Sequence, residues 1–133
     1  MGQEKLDMVD ESAIKAVGLF GGGVARSGQT CGALLGAIAS LSCRYSRGTL
    51  DEKENPIMWE VGGRFVRKFE ELTEQHGGIR CQDIARVDWK DPVAVKEFRT
   101  NPESRRKICA QLVGDVAQAL GELMEQEALR RTP

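Results

Sequence analysis

The residues of this chain best suited to chemistry are its cysteines, and Cys31 has the most informative neighbours. It lies in the segment FGGGVARSGQTCGALLG, residues 20–36, where a glycine-rich polar loop leads into an apolar run of small residues. That order predicts a loop followed by a helix, with Thr30 as the N-cap and Cys31 in the first helical turn. Unpaired backbone N–H groups and the positive end of the helix dipole favour a thiolate there. The sequence therefore predicts a sulfur at position 31 that attacks disulfides or binds a metal.

Cys109 is a second candidate, although its position also fits a core residue. It opens the apolar stripe of the last predicted helix, which favours burial. Arg105 and Arg106 precede it by four and three residues, which on a helix is within one turn of the sulfur. Cations at that distance lower the pKa of a thiol. The residues alone thus leave two interpretations of Cys109 open, a buried core cysteine and a site residue.

Cys81 and Cys43 have weaker surroundings, and we interpret them differently. Cys81 follows a Gly-Gly turn and Arg80, near the start of a short helical piece. Cys43 follows Cys31 by twelve residues on one predicted helix, which separates them by about 18 Å along the axis. Cys31 and Cys43 therefore cannot bind the same metal centre, and we expect Cys43 to be structural.

The segment from Cys31 to Gly36, CGALLG, is a CGAxxG motif, and it resembles a family of redox-active proteins whose signature is written C-GCAxxG-C-C. The preceding FGGG, Gly28 and the later single cysteines Cys81 and Cys109 fall where that family places its own. The resemblance covers roughly residues 11–120. It implies a redox role centred on Cys31, with Cys81 and Cys109 as its partners. One feature departs from the pattern, because residues 1–20 lack the family's first cysteine.

Two kinds of redox chemistry remain open. No two cysteines have CxxC spacing, so any joint site must be assembled by the fold. Two cysteines would give a disulfide couple, whereas Cys31, Cys81 and Cys109 together would give an iron–sulfur site that lacks its fourth ligand. The resemblance favours the cluster, and the missing ligand favours thiols. No CxxCH motif is present, so we expect no covalent haem.

The rival interpretation is a non-enzymatic helical interaction module whose cysteines are buried and structural. Such a module would bind its partner through the stripe formed by Gly32, Gly36 and Ser40, or through the basic run 105–107. In the redox interpretation Gly32 and Gly36 let a bulky group approach the site closely.

Composition limits the partners. The chain has 133 residues, of which 41% are hydrophobic and 29% charged, and its net charge is −1. We expect one domain, residues 1–133. A near-neutral balance argues against nucleic acid as a main partner. No signal peptide or membrane span is recognisable, so we expect a cytoplasmic protein that reacts with a redox partner protein or a small thiol. The glycine-rich helix face and the absent ligand also suggest a homodimer with a shared site.

The periodicity predicts an all-α fold, a single-domain small helical bundle of four main helices plus two short helical turns. The predicted boundaries are residues 11–20, 31–45, 55–76 and 101 onwards for the main helices, with short pieces at 81–87 and 91–98. The triple glycine at 21–23 lacks the following Gly-Lys-Ser/Thr of a phosphate loop. We expect His76 to be a solvated capping residue, and Trp59 and Trp89 to serve in packing.

Overall fold

The computed structural model describes residues 4 and 6–130, and within them the fold is all-α, as the sequence predicts. From residue 6 to residue 130, six α-helices follow in chain order: α1 (Glu11–Ala16), α2 (Gly32–Tyr45), α3 (Met58–Thr73), α4 (Cys81–Ile84), α5 (Pro92–Thr100) and α6 (Arg106–Arg130). Two 3₁₀ turns, Gly18–Phe20 and Glu74–His76, follow α1 and α3. None of the helices described is both long and apolar enough to cross a membrane.

The core lies between α2, α3 and α6, which pack against one another. Each of the three helices presents apolar residues three or four positions apart, the spacing that places side chains on one helix face. Phe65 and Phe69 of α3 lie at the centre and are 1% and 0% exposed. The other apolar residues of this core are Leu34, Ala37, Leu41 and Tyr45 on α2, Val61 on α3, and Leu112, Val116, Ala119, Leu120, Leu123 and Met124 on α6. The small helix α4 adds Ile84 to this core.

The structure corrects two predicted helix starts. Helix α6 begins at Arg106 rather than at Asn101, because Asn101 instead ends α5 and its side chain accepts the Glu103 N–H in a tight turn. Helix α3 begins at Met58, after a turn in which the Asn55 side chain accepts the Ile57 N–H. Asparagine stabilises such turns with the same kind of side-chain bond that it makes as a helix N-cap.

The first predicted helix is shorter than expected. Helix α1 ends at Ala16 and a 3₁₀ turn continues to Phe20, so residues 11–20 are not one helix. Ile14 and Leu19, two large apolar residues of this segment, are exposed. Helix α3 ends at Thr73 rather than at His76, and the 3₁₀ turn after it reaches His76, where Gly77 follows with a φ of 96°. Glycine is favoured in this left-handed conformation, which is common after a helix.

Candidate functional site

Cys31 and Cys81 are positioned by a short backbone pairing. Thr30 and Arg80 form an isolated antiparallel bridge. On either side of it the Cys31 N–H donates to the Ile79 carbonyl at 2.9 Å, and the Cys81 N–H donates to the Gln29 carbonyl at 2.6 Å. Because successive side chains alternate between the two faces of an extended pair, Cys31 and Cys81 lie on the same face. The non-local pairing thus places two cysteines fifty positions apart in sequence side by side.

These two cysteines and Cys109 line one cavity of about 450 Å³. Cys31 comes from the start of α2, Cys81 from the start of α4 and Cys109 from the first turn of α6. The remaining wall is apolar or glycine: Val17, Phe20, Gly21, Gly22, Gly23, Gly32, Ala33, Gly36, Ile84, Ala85, Trp89, Phe98, Leu112 and Val113. A concave apolar pocket with a few converging reactive groups is the usual form of an active or binding site.

Cys43 lies outside this cavity and is exposed. Its neighbours Leu41 and Tyr45 on α2 face the core. Position 43 falls between these inward positions and therefore turns to solvent. Cys43 therefore lies apart from the cavity that holds Cys31, as the sequence predicts, but on the exposed surface of α2.

A left-handed turn forms one wall of the cavity. Five consecutive residues, 22–26, have φ values between 51° and 66°. The turn is held by bonds from the Ala25 N–H to the Leu19 carbonyl at 2.6 Å and from the Gln29 N–H to the Gly23 carbonyl at 3.0 Å. Left-handed backbone costs about 1–2 kcal/mol for each residue that carries a Cβ. Such strain is typically found at functional sites.

Gly23 is required at its position for a second reason. A Cβ added there would lie 2.5 Å from the Cys81 Cβ and 2.5 Å from the Gln29 carbonyl oxygen. Only a glycine allows the turn to pass this close to the segment that carries Cys81.

Gly32 and Gly36 were both predicted to let another group approach the backbone closely. Only Gly32 has such a neighbour. A Cβ on Gly32 would lie 2.6 Å from the Phe20 carbonyl oxygen, so this glycine lets the preceding loop pack against the start of α2. A Cβ on Gly36 would have no atom within 4 Å. Gly36 therefore leaves space in the wall of the cavity rather than accommodating a neighbouring helix.

Trp89 contacts the site through a hydrogen bond that the sequence did not reveal. Its indole Nε1–H donates to Cys81 Sγ at 3.3 Å. Its ring packs edge-to-face on Phe98, with the ring centroids 5.3 Å apart. An indole N–H can only donate, so the sulfur is the acceptor. The expectation of a packing role for Trp89 is therefore incomplete. Trp59, by contrast, is 72% exposed and donates to Glu54, so it is not a core residue.

The structure corrects the predicted position and acidity of Cys31. Cys31, not Thr30, is the N-cap of α2, because Thr30 is engaged in the bridge with Arg80. Burial raises the pKa of Cys31, and the neighbouring Cys81 adds to this effect. The N–H groups of Ala33 and Leu34 lower the pKa, as expected at a helix start, but they do not outweigh burial.

The acidity of Cys109 is corrected in the same direction. Burial, followed by the nearby sulfurs of Cys81 and Cys31, raises the pKa of Cys109 to about 11. Arg105 lowers it, as predicted, but by less. The Arg105 Nε–H donates to the Ile84 carbonyl at 2.7 Å, which fixes this guanidinium between α4 and α6.

His76 does not behave as a charged capping residue. It ends the 3₁₀ turn after α3, and its Nδ1 lies 3.3 Å from a guanidinium nitrogen of Arg105. Partial burial and the positive charges of Arg105 and Arg86 lower the pKa of His76. Its protonated form is thus disfavoured.

The arrangement of the three cavity cysteines decides whether they can bind a metal ion together. Within the described part of the chain, no group of three or more Cys, His, Asp or Glu side chains is arranged to hold a metal ion. As they stand, Cys31, Cys81 and Cys109 share a cavity but do not form a metal-binding set.

A protein-family model matches most of the chain. The model of a family described as "putative redox-active protein (C_GCAxxG_C_C)" matches residues 1–123. The chain belongs to this family. The match extends through the left-handed turn, the CGALLG segment and all three cavity cysteines. No curated protein and no solved structure matches the chain.

Proposed function

We propose that this redox protein carries out thiol–disulfide exchange, with Cys31 as the attacking sulfur and Cys81 as the resolving sulfur. The observation that carries the proposal is the backbone bridge, which holds both cysteines on one face where they open into one cavity. Cys31 is the more exposed of the two, since Cys81 is only 8% exposed. An attacking thiol needs access to its substrate, so Cys31 suits the first step.

The reaction runs in two balanced steps. The Cys31 sulfur, as it loses its proton, attacks one sulfur of a partner disulfide and forms a mixed disulfide. The second partner sulfur leaves and takes up a proton as the first thiol product. The Cys81 sulfur then attacks Cys31 Sγ, which releases the other partner sulfur as the second thiol. Two cysteine thiols are oxidised to one disulfide, and the partner disulfide is reduced to two thiols.

Cys109 provides a competing route. The charge of Cys81 raises the pKa of both Cys31 and Cys109, and its effect on Cys109 is larger than that of Cys31. A disulfide between Cys81 and Cys109 is therefore the alternative product. Because the pKa of Cys109 is about 11, this thiol stays protonated at neutral pH and attacks slowly.

An iron–sulfur site is the second candidate, favoured by the convergence of three thiols from three elements on one cavity. Iron would offset the repulsion between the sulfurs, and the Trp89 N–H is the kind of donor that tunes a cluster. The three cysteines supply one ligand fewer than the common clusters take. This candidate consequently requires a fourth ligand from a partner or a second copy of the chain, as well as rearrangement of the present side chains.

The proposal is tested by mapping disulfides in a Cys43→Ser background, which removes the exposed thiol. The reduced protein is treated with bis(2-hydroxyethyl) disulfide, quenched with acid and analysed by peptide mass spectrometry. We expect a Cys31–Cys81 disulfide, an accumulating mixed disulfide on Cys31 in Cys81→Ser, and little reaction in Cys31→Ser. Unchanged thiols at all three cavity positions would instead support a non-enzymatic interaction module with inert cysteines.

An absorption spectrum of the protein purified without oxygen tests the second candidate. Broad visible bands that bleach with dithionite would assign the cavity cysteines to a cluster and would argue against free thiol exchange. The Cys109→Ser variant would then lose those bands, whereas Cys43→Ser would keep them.

A further inference from the structure

A second concave surface shares Trp89 with the wall of the cysteine cavity. It is a groove of about 460 Å³ lined by Arg26, Ser27, Gly28, Gln82, Arg86, Val87, Asp88, Trp89 and Lys90. Trp89 lines both this groove and the cysteine cavity. We call this surface the cationic groove, since three of its side chains are basic and one is acidic.

The positive charges of the cationic groove have no ion-pair partner among the described residues. Within residues 4 and 6–130, no carboxylate oxygen lies within ion-pair distance of Arg26, Arg86 or Lys90. The Arg86 Nε–H donates to the Asp83 carbonyl at 3.2 Å, which orients the guanidinium without cancelling its charge. Unpaired cations that share a concave surface raise the local concentration of anions.

The groove is built on the same backbone that positions the cysteines. Arg26 ends the left-handed turn, and Arg86 also has a left-handed backbone, with a φ of 52°. The Gln82 N–H donates to the Gly28 carbonyl at 3.1 Å, directly beside the bond that fixes Cys81. Two strained arginines thus face one groove at a fixed position relative to the reactive sulfurs.

We propose that the cationic groove binds the carboxylates of a small acidic peptide thiol or disulfide, whose sulfur reaches past Trp89 into the cysteine cavity. This inference rests on the proposed thiol–disulfide exchange and names its substrate class. Arginine forms paired hydrogen bonds with carboxylates, and Lys90 adds a third positive charge. No basic side chain of the described residues lines the apolar cavity to hold the charged end of a substrate, whereas three basic side chains line the groove.

Binding is measured with S-methylglutathione, a thioether that cannot undergo exchange. The chain has two tryptophans, so a Trp59→Phe variant leaves Trp89 as its one indole reporter. We expect a saturable change in Trp89 fluorescence that weakens as salt is added. Arg86→Gln and Lys90→Gln should each weaken binding by about two- to fivefold, as for the loss of one partly exposed ion pair. Lys53→Gln, an exposed cation outside the groove, is the matched control and should leave binding unchanged.

Exchange rates separate this inference from the function on which it rests. The rate of exchange with glutathione disulfide should fall two- to fivefold in the Arg86→Gln variant, whereas the rate with neutral bis(2-hydroxyethyl) disulfide should not change. Arg86→Lys should retain most of the glutathione rate. Binding of S-methylglutathione without any exchange would overturn thiol chemistry and leave the anion site standing. Exchange with equal effects on both disulfides, or no saturable binding at low salt, would overturn the cationic groove as the substrate site.

Discussion

At position 31 two opposing effects act on one sulfur. The N–H groups at the start of α2 stabilise a thiolate, while burial in an apolar cavity disfavours it, and burial is the larger effect. A sequence pattern reveals the first effect because it is local, but not the second, because the cavity wall comes from distant elements. The result is a thiol whose helix-start position favours ionisation, yet whose environment keeps it protonated.

We expect the reactivity of Cys109 to increase with pH well beyond the usual range. The pKa of Cys109 is about 11, against an ordinary value of 9.0, because the thiolate is poorly solvated and lies near two other sulfurs. In a Cys43→Ser background, the rate of alkylation by iodoacetamide, followed by mass spectrometry, should therefore still rise between pH 9 and pH 11.

The contribution of Cys81 can be tested separately. Cys81 and Cys31 both raise the pKa of Cys109, and Cys81 has the larger effect. In a Cys81→Ser variant the pH profile of Cys109 alkylation should therefore move towards lower pH. The urea-unfolded protein is the control and should titrate near 9. A folded-state profile centred near 9 would contradict the burial of this thiol.

At the level of elements, helix α2 begins with two glycines whose surroundings differ. Gly32 packs against the Phe20 carbonyl, whereas Gly36 adjoins open space in the cavity. The sequence shows both as one small-residue stripe and cannot distinguish them.

We expect alanine substitutions to separate the two glycines. Gly36→Ala should raise the free energy of unfolding by about 1 kcal/mol, because alanine is the better helix former and meets no clash. Gly32→Ala should lower it by about 1–3 kcal/mol, because the new Cβ overlaps the Phe20 carbonyl. Urea denaturation of both variants measures the difference. Equal effects of the two substitutions would be inconsistent with the packing of the 20–21 loop on α2.

For the whole molecule, an ion cluster at the far end of the bundle joins α3 to α6. The Glu127 side chain is 4% exposed and pairs with Arg64 on α3 and with Arg130 at 3.0 Å. Burial raises the pKa of Glu127, but the hydrogen bonds from Arg130 and Arg64 outweigh it, and the pKa is lowered. No sequence pattern singles out Glu127, because it is one of many charged residues on the last helix.

We expect Glu127→Gln to lower the free energy of unfolding at pH 7 by about 1–3 kcal/mol, because a buried charge-assisted pair is lost while both arginines stay partly solvated. A carboxyl with a lowered folded pKa stabilises the protein above its unfolded pKa, and this stability is lost as the pH falls. The difference between the two proteins should thus shrink below about pH 4.5, the ordinary value. Glu71→Gln, from an exposed pair with Lys68, is the control and should change stability by less than about 0.5 kcal/mol.

The sequence predicts those features of this protein that depend on neighbouring residues, and it does not predict those that depend on distant ones. The apolar spacing of Phe65 and Phe69 predicts α3 and its buried face, because that spacing is a property of the helix itself. The N-cap of α2 was misplaced because the pairing of Thr30 with Arg80 is non-local. The three cysteines were identified from their surroundings and the family resemblance. That they line one cavity had to come from the structure.

The cationic groove and the role of Trp89 were missed for the same reason. Arg26 and Arg86 are sixty positions apart, and neither has a neighbouring sequence signal that predicts a left-handed backbone. Only the packing of the 22–26 turn against α4 brings these residues together.

The left-handed turn has a stereochemical consequence. Residues 22–26 follow a path that L-amino acids resist and that their mirror images prefer. A D-alanine at position 25, introduced by joining a synthetic 1–30 peptide to a fragment beginning at Cys31, should raise the free energy of unfolding by about 1–2 kcal/mol. A D-alanine at position 16, in the right-handed α1, should lower it instead. This segment is therefore a place in the chain where inverting the chirality of a residue would strengthen the native fold.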